Sequence, residues 1–110
     1  MNFGSCRMSI DINSLQPGFK YLLFERVNRE KNEFRYYYLS WQPSLFDRGA
    51  VVRTYGRLTG QSRTLAPVPF PTLGDAWPLI RATIRARLRN GYTVVEPEEI
   101  AEVIQKFGIK

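Results

Sequence analysis

Arg53, Tyr55 and Arg57 fall at alternate positions of Val51-Val-Arg-Thr-Tyr-Gly-Arg57, a run that alternates like a strand. Side chains two apart in a strand point to the same face, so one phenol ring sits between two guanidinium groups, with Val52, Thr54 and Gly56 opposite. Such a face suits a sugar or base stacked on the ring, with phosphates held by the arginines. The same residues also fit a solvated strand face with a cross-strand aromatic and two surface cations, so context has to decide.

Charge supplies part of that context. The chain of 110 residues carries 16 Lys and Arg against 10 Asp and Glu, and the excess is concentrated in the middle. Residues 50–95 hold seven Arg, no Lys and a single acid, Asp75. Guanidinium forks favour bidentate phosphate or carboxylate contacts over diffuse solubilising charge. The candidate binding residues are therefore Arg53, Tyr55, Gly56, Arg57 and Arg63, with Arg81 and Arg85 extending the basic surface.

Other chemistries are short of residues. With no His and one Cys, Cys6, the usual zinc sites, a thiol–imidazole pair and a serine–histidine triad are all out of reach. Asp75 is the only acid among the central residues and reads as a helix cap, so no general acid–base pair sits near the cations. No catalytic residue, metal or cofactor is expected. A lone Cys cannot form an internal disulfide, no apolar run approaches the roughly 18 residues of a membrane span, and the N-terminus lacks a basic-then-apolar leader pattern. These features describe a cytoplasmic single domain with no membrane partner.

The elements that must position the cations follow from pattern. Residues 1–16 mix Gly4, Ser5, Asn13 and Ser14 with isolated apolar residues and read as a flexible lead-in. After the Pro17-Gly18 turn signal, Phe19–Val27 predicts a strand apolar on both faces, as in a central strand. Asn28–Glu33 is a polar hairpin loop leading to Phe34–Gln42, an aromatic strand in which Tyr37 and Tyr38 point opposite ways. Pro43-Ser44 and Asp47-Arg-Gly49 break the pattern, with Leu45 and Phe46 capping the core edge between them. Leu58-Thr59-Gly60 then joins the Val51–Arg57 strand to Gln61–Leu65, whose alternation puts Gln61, Arg63 and Leu65 on one face and Arg63 beside Arg53 or Arg57. Pro67, Pro69 and Pro71 are expected to end the sheet, since three prolines cannot all donate to a ladder.

A helix follows. Asp75 as N-cap places Pro78 in the first turn, and a Thr72/Asp75 capping box is the other option. Trp77, Ile80, Ile84 and Leu88 form the buried stripe, with Arg81, Arg85 and Arg89 on an adjacent one joined by Arg87; Arg87 and Arg89 also complement the helix dipole. Asn90-Gly91 is a left-handed cap, and Tyr92–Val95 a final short strand. Glu96-Pro97-Glu98-Glu99 opens a second helix whose face of Ile100, Val103, Ile104 and Phe107 either packs on the domain or docks a protein partner or a second copy.

Tyr-Tyr-Tyr-Leu at 36–39, Arg53-Thr-Tyr-Gly-Arg57, Gly60-Gln-Ser-Arg63, the Ala76-containing helix and Asn90-Gly-Tyr92, in that order and spacing, resemble the WGR domain, over roughly residues 19–95. That module occurs in several poly(ADP-ribose) polymerases and in many small bacterial proteins, where it is named for a Trp-Gly-Arg motif. The resemblance implies an α+β fold, a mostly antiparallel sheet with one main helix packed across it, here followed by a short C-terminal helix. In the polymerases the motif Trp and Arg contact the sugar–phosphate backbone at a DNA end, so Tyr55 and Arg57 would inherit the role. Tyr55 stands where the signature has Trp, and Leu58-Thr59-Gly60 is a residue shorter than the loop of many members. The expected organisation is a lead-in over 1–16, a WGR-like domain over 17–95 and a helix over 96–110. The expected partner is nucleic acid, DNA before RNA, bound with little sequence preference. The alternative is a protein-interaction or regulatory module, in one form a homodimer, working beside a separate enzyme.

Overall fold

The computed structural model describes residues 9–44 and 48–109; Cys6, Leu45 and Phe46 lie outside them. Strand β1 (Tyr21–Asn28) and strand β2 (Glu33–Pro43) form an antiparallel hairpin with Asn28 opposite Glu33. The tight turn is held by the Lys31 N–H donating to Asn28 Oδ1 at 3.3 Å, and Asn32 takes φ 51°, a left-handed value that Asn tolerates better than most residues. Strand β3 (Gly49–Arg57) pairs along its whole length with Arg35–Pro43 of β2, and strand β6 (Thr93–Glu96) pairs with the other side of β1. β1 is therefore central, as its two apolar faces predict: Leu22 and Phe24 are fully buried, and Tyr21 and Leu23 are half-buried on the reverse face.

The outer side of β3 is shared by two short strands. Strand β4 (Ser62–Thr64) pairs with Thr54–Gly56, and strand β5 (Val68–Phe70) pairs with Gly49–Val51. The proline run thus does not end the sheet. Pro67, Pro69 and Pro71 alternate in phase, so in a strand bonded on one side only their missing N–H groups all face away from the ladder.

Helix α1 (Leu73–Arg89) starts one turn earlier than an Asp75 cap requires. Thr72 is the N-cap: its Oγ1 accepts from the Asp75 N–H at 3.1 Å and donates to Asp75 Oδ2 at 3.1 Å, the capping-box option. Pro78 consequently lies in the second turn, where the bond it removes is to the carbonyl of Gly74, an exposed residue open to water. At the far end the Gly91 N–H donates to Leu88 O (3.2 Å) and the Tyr92 N–H to Arg87 O (3.0 Å), with Gly91 at φ 86°, the left-handed ending that Asn90-Gly91 predicts.

One core joins helix and sheet: Trp77, Ile80 and Ile84 of α1 cluster with Leu22, Phe24, Leu39 and Val51. Two expectations are corrected here. Ile12, in a 3-10 turn over Ile12–Leu15, is completely buried, and Ile10 bridges Ile109, so this part of the expected lead-in is built into the fold; residues 1–8 lie outside the described residues. On helix α2 (Glu98–Phe107) the buried stripe is Ala101 and Ile104 with Ile100 beside it, while Val103 and Phe107 are 38% and 39% exposed. The helix is rotated so that its smallest side chain, Ala101, lies against the domain.

Glycine is required at 56 for room rather than for backbone angle. A Cβ there would run into the Gln61 carbonyl oxygen and lie 2.8 Å from Ser62 Cα, on the strand that carries Arg63. Gly56→Ala is expected to destabilise the protein by about 1–3 kcal/mol in urea unfolding, through strain where β4 meets β3; an unchanged midpoint would show that this pairing opens without cost.

Candidate functional site

Seen across the strands, the face of the sheet that carries α1 is built in rows. One row runs Phe24, Tyr37, Tyr55, Arg63, and the next runs Arg26, Arg35, Arg57. The first row begins in the core and ends in solvent. Phe24 meets Tyr37 edge-on at 6.4 Å, and Tyr37 stacks on Tyr55 at 6.1 Å with 13° between the ring planes. Tyr37 is 7% exposed and Tyr55 half-buried, so the last ring in the stack is held from behind and open in front.

α1 ends over this row. Arg87 in its last turn sets its guanidinium 4.7 Å from the Tyr37 ring centre and 5.4 Å from that of Tyr92, while Tyr92 meets Tyr37 edge-on at 6.4 Å. The Arg87 Nε and the Arg53 Nε are both shielded from water and unpaired; Arg87 is held over the Tyr37 and Tyr92 rings, and Arg53 against the Tyr37 phenol. Burial pushes the Tyr37 phenol above its ordinary value, although the charges of Arg53 and Arg87 act to lower it. Neutral Tyr37 is thus the inner wall on which two cations and the Tyr55 ring rest.

Past the helix end the face opens into a cleft of about 600 Å³, lined by Arg35, Tyr55, Gly56, Arg57, Gly60, Gln61, Arg63 and Tyr92. The Gly60 N–H donates to Arg57 O at 3.2 Å and the Arg57 N–H to Gln61 O at 3.3 Å, so the β3–β4 turn folds tightly at one side of the cleft. Arg57 and Arg63 are exposed, and the ion pairs formed among the described residues are those of Glu33 with Arg26 and Arg35. Arg57 and Arg63 therefore face the cleft without a carboxylate.

Of the residues singled out from sequence, Tyr55, Gly56, Arg57 and Arg63 come together here. Arg63 sits directly opposite Tyr55, which puts it diagonal to both Arg53 and Arg57. Arg53 lies beneath the stack, against the Tyr37 phenol, and not in the cleft wall. Arg81 and Arg85 are apart from the cleft: Arg81 Nη1 donates to Asn13 Oδ1 at 3.0 Å, sharing that oxygen with Trp77 Nε1 at 2.9 Å, and Arg85 is exposed on the helix. Sequence reasoning did not mark Arg35, Gln61 or Tyr92 as lining residues. The missed signal for Arg35 was the hairpin register, since the Asn28–Glu33 turn sets Arg26 opposite Arg35 and hence Arg35 opposite Arg57.

Glu33 joins two cations of the second row. Its Oε1 accepts from Arg26 Nη2 at 2.7 Å and lies 3.0 Å from Arg35 Nε, an ion pair. The Arg26 hydrogen bond, aided by the charges of Arg26, Arg35 and Lys31, outweighs partial desolvation and holds the carboxyl below its ordinary value of 4.5.

A family model described as the WGR domain matches residues 21–99, most of the chain. No curated protein and no solved structure gives a significant match.

A carboxyl with a depressed folded-state pKa contributes stability that is present above its unfolded value and lost as the pH falls through the folded one. Glu33→Gln is expected to lower the melting temperature near neutrality, with the gap to wild type closing as the pH drops below 4.5 and through the depressed value. Thermal unfolding across that range checks this, and a gap that persists undiminished in acid would show that the charge of Glu33 is not what stabilises the hairpin.

Proposed function

The chain belongs to the WGR domain family, a nucleic-acid-binding type of module, and on that premise we propose that the open end of its sheet binds the sugar–phosphate backbone of a nucleic acid, DNA before RNA. The observation that carries the reading is the pair Arg57 and Arg63, exposed on either side of Tyr55 with no carboxylate neutralising them among the described residues. Two guanidinium groups take phosphate oxygens, and the outer face and edge of the phenol pack on a sugar or terminal base. Arg53 and Gly56 act from below and beside, one fixing the ring stack and the other letting β4 close on β3. Arg81 and Arg85 add to the long-range field and not to the contact.

Gln61 is the single amide side chain in the cleft wall, too few for a base-edge code, so affinity comes mainly from counterion release and is indifferent to sequence. The role is that of a binding module without catalysis or cofactor. We take residues 17–95 as the module and 96–110 as its C-terminal segment, whose helix is α2, with Ile10 and Ile12 packed onto the domain, and the setting proposed is the cytoplasm. Among the described residues no helix is long and apolar enough to cross a membrane. A second reading, docking of a protein or a second copy on α2, draws on the exposure of Val103 and Phe107.

Fluorescence anisotropy with labelled duplex, nicked and single-stranded DNA and with RNA, at several salt concentrations, separates these readings. Arg57→Ala is expected to weaken duplex binding about tenfold and to reduce the slope of log K against log salt by about 0.9. Tyr55→Ala should lose less, with both variants folded. Equal affinity for wild type and both variants would remove the site; affinity that is flat in salt would remove the mechanism. Loss of a partner on substitution of Phe107, with nucleic-acid binding absent, would favour the second reading.

A further inference from the structure

The row Arg26, Arg35, Arg57 places three cations directly opposite one another on three neighbouring strands, an arrangement that repels itself unless an anion sits among them. The chain supplies one. A single oxygen of Glu33 takes a hydrogen bond from Arg26 and forms an ion pair with Arg35, which leaves Arg57 at the end of the row without a carboxylate among the described residues. Behind this row lies a second cleft, of about 700 Å³, whose wall includes Arg26, Lys31, Glu33, Arg35 and Arg57. Arg35 and Arg57 line both clefts, so the two adjoin across the row.

The β1–β2 hairpin is therefore an oxyanion site whose present occupant is a side chain of the protein itself. The Arg35 arm of the pair is not locked in: its side chain is 49% exposed, while Glu33, 19% exposed, stays bonded to Arg26 when Arg35 turns to another anion. A phosphate oxygen entering beside Lys31 replaces one anion by another, so no cation is stranded, and its remaining oxygens reach toward Arg57, which the carboxylate does not serve. We propose that the hairpin cleft is a second phosphodiester subsite, adjoining the first, in which Glu33 occupies the anion position until the nucleic-acid backbone displaces it from Arg35. This rests on the nucleic-acid reading above, and extends the track along the hairpin instead of along the helix arginines.

The test is a double-mutant cycle by fluorescence anisotropy with a labelled blunt-ended duplex across a salt series. Glu33→Gln should bind roughly three- to fivefold tighter than wild type with a steeper salt slope, because the competing anion is gone. In an Arg35→Ala background the same change should give little or no gain. Lys31→Ala, on the exposed hairpin turn where folding is not at risk, should bind several-fold weaker with a shallower slope. An affinity unchanged or reduced by Glu33→Gln, a gain of equal size with Arg35 absent, or no effect of Lys31→Ala would each overturn the subsite. If those outcomes come with loss of binding in Arg57→Ala, the function stands and the hairpin subsite alone falls. If wild type and every variant fail to bind, both fall together.

Discussion

Where the helix roof ends, one arginine rests on two aromatic rings. Arg87 belongs to the last turn of α1, which Asn90-Gly91 terminates, and its contacts with Tyr37 and Tyr92 tie that end to the sheet. A guanidinium suits that place, since it is attracted to the ring faces and needs less water than an ammonium would. The open cleft lies beyond the helix end, and the core that joins α1 to the sheet lies before it.

The stack also explains why Tyr55 is a suitable outer wall. A surface aromatic held only by its own strand would have to be ordered by the ligand, which subtracts from affinity. Here the ring is backed by Tyr37, which is backed by Phe24 in the core, so its plane is set by packing before any ligand arrives. Gly56 extends the same logic to the neighbouring strand. By admitting the backbone of residues 61 and 62 to close range, it brings Arg63 level with the ring.

How far this was legible in the sequence depended on whether the decisive contact was local. Alternation in Val51–Arg57 gave the shared face, and Asn90-Gly91 gave the helix stop, because both are written in neighbouring residues. The start of α1 was misplaced by one turn because Asp75 and Thr72 both satisfy cap chemistry, and only the geometry of the preceding proline run chooses between them. That run itself was misread since proline's effect on a sheet depends on whether the strand has a neighbour on its other side, which no window of sequence contains. Arg81 looked like surface charge, yet it shares an acceptor with Trp77 on a segment more than sixty residues away. Arg35 escaped notice for the same reason: its importance lies in what stands across from it on the next strand.

Net charge alone would not make the open end attractive to a polyanion; the placement of the acids matters as much. Four of the ten acids, Glu96, Glu98, Glu99 and Glu102, follow one another at β6 and α2. β6 is at one end of the strand order and β4, with Arg63, is at the other, four strand spacings apart or about 19 Å. That exceeds the Debye length of about 8 Å at physiological salt, so the acids do little to neutralise Arg63 at the far edge. What survives at longer range, in dilute salt, is a dipole along the sheet with its positive end at the Tyr55 cleft. The topology, which sends the chain from β4 and β5 through α1 to the far side of the sheet, is what separates the two signs.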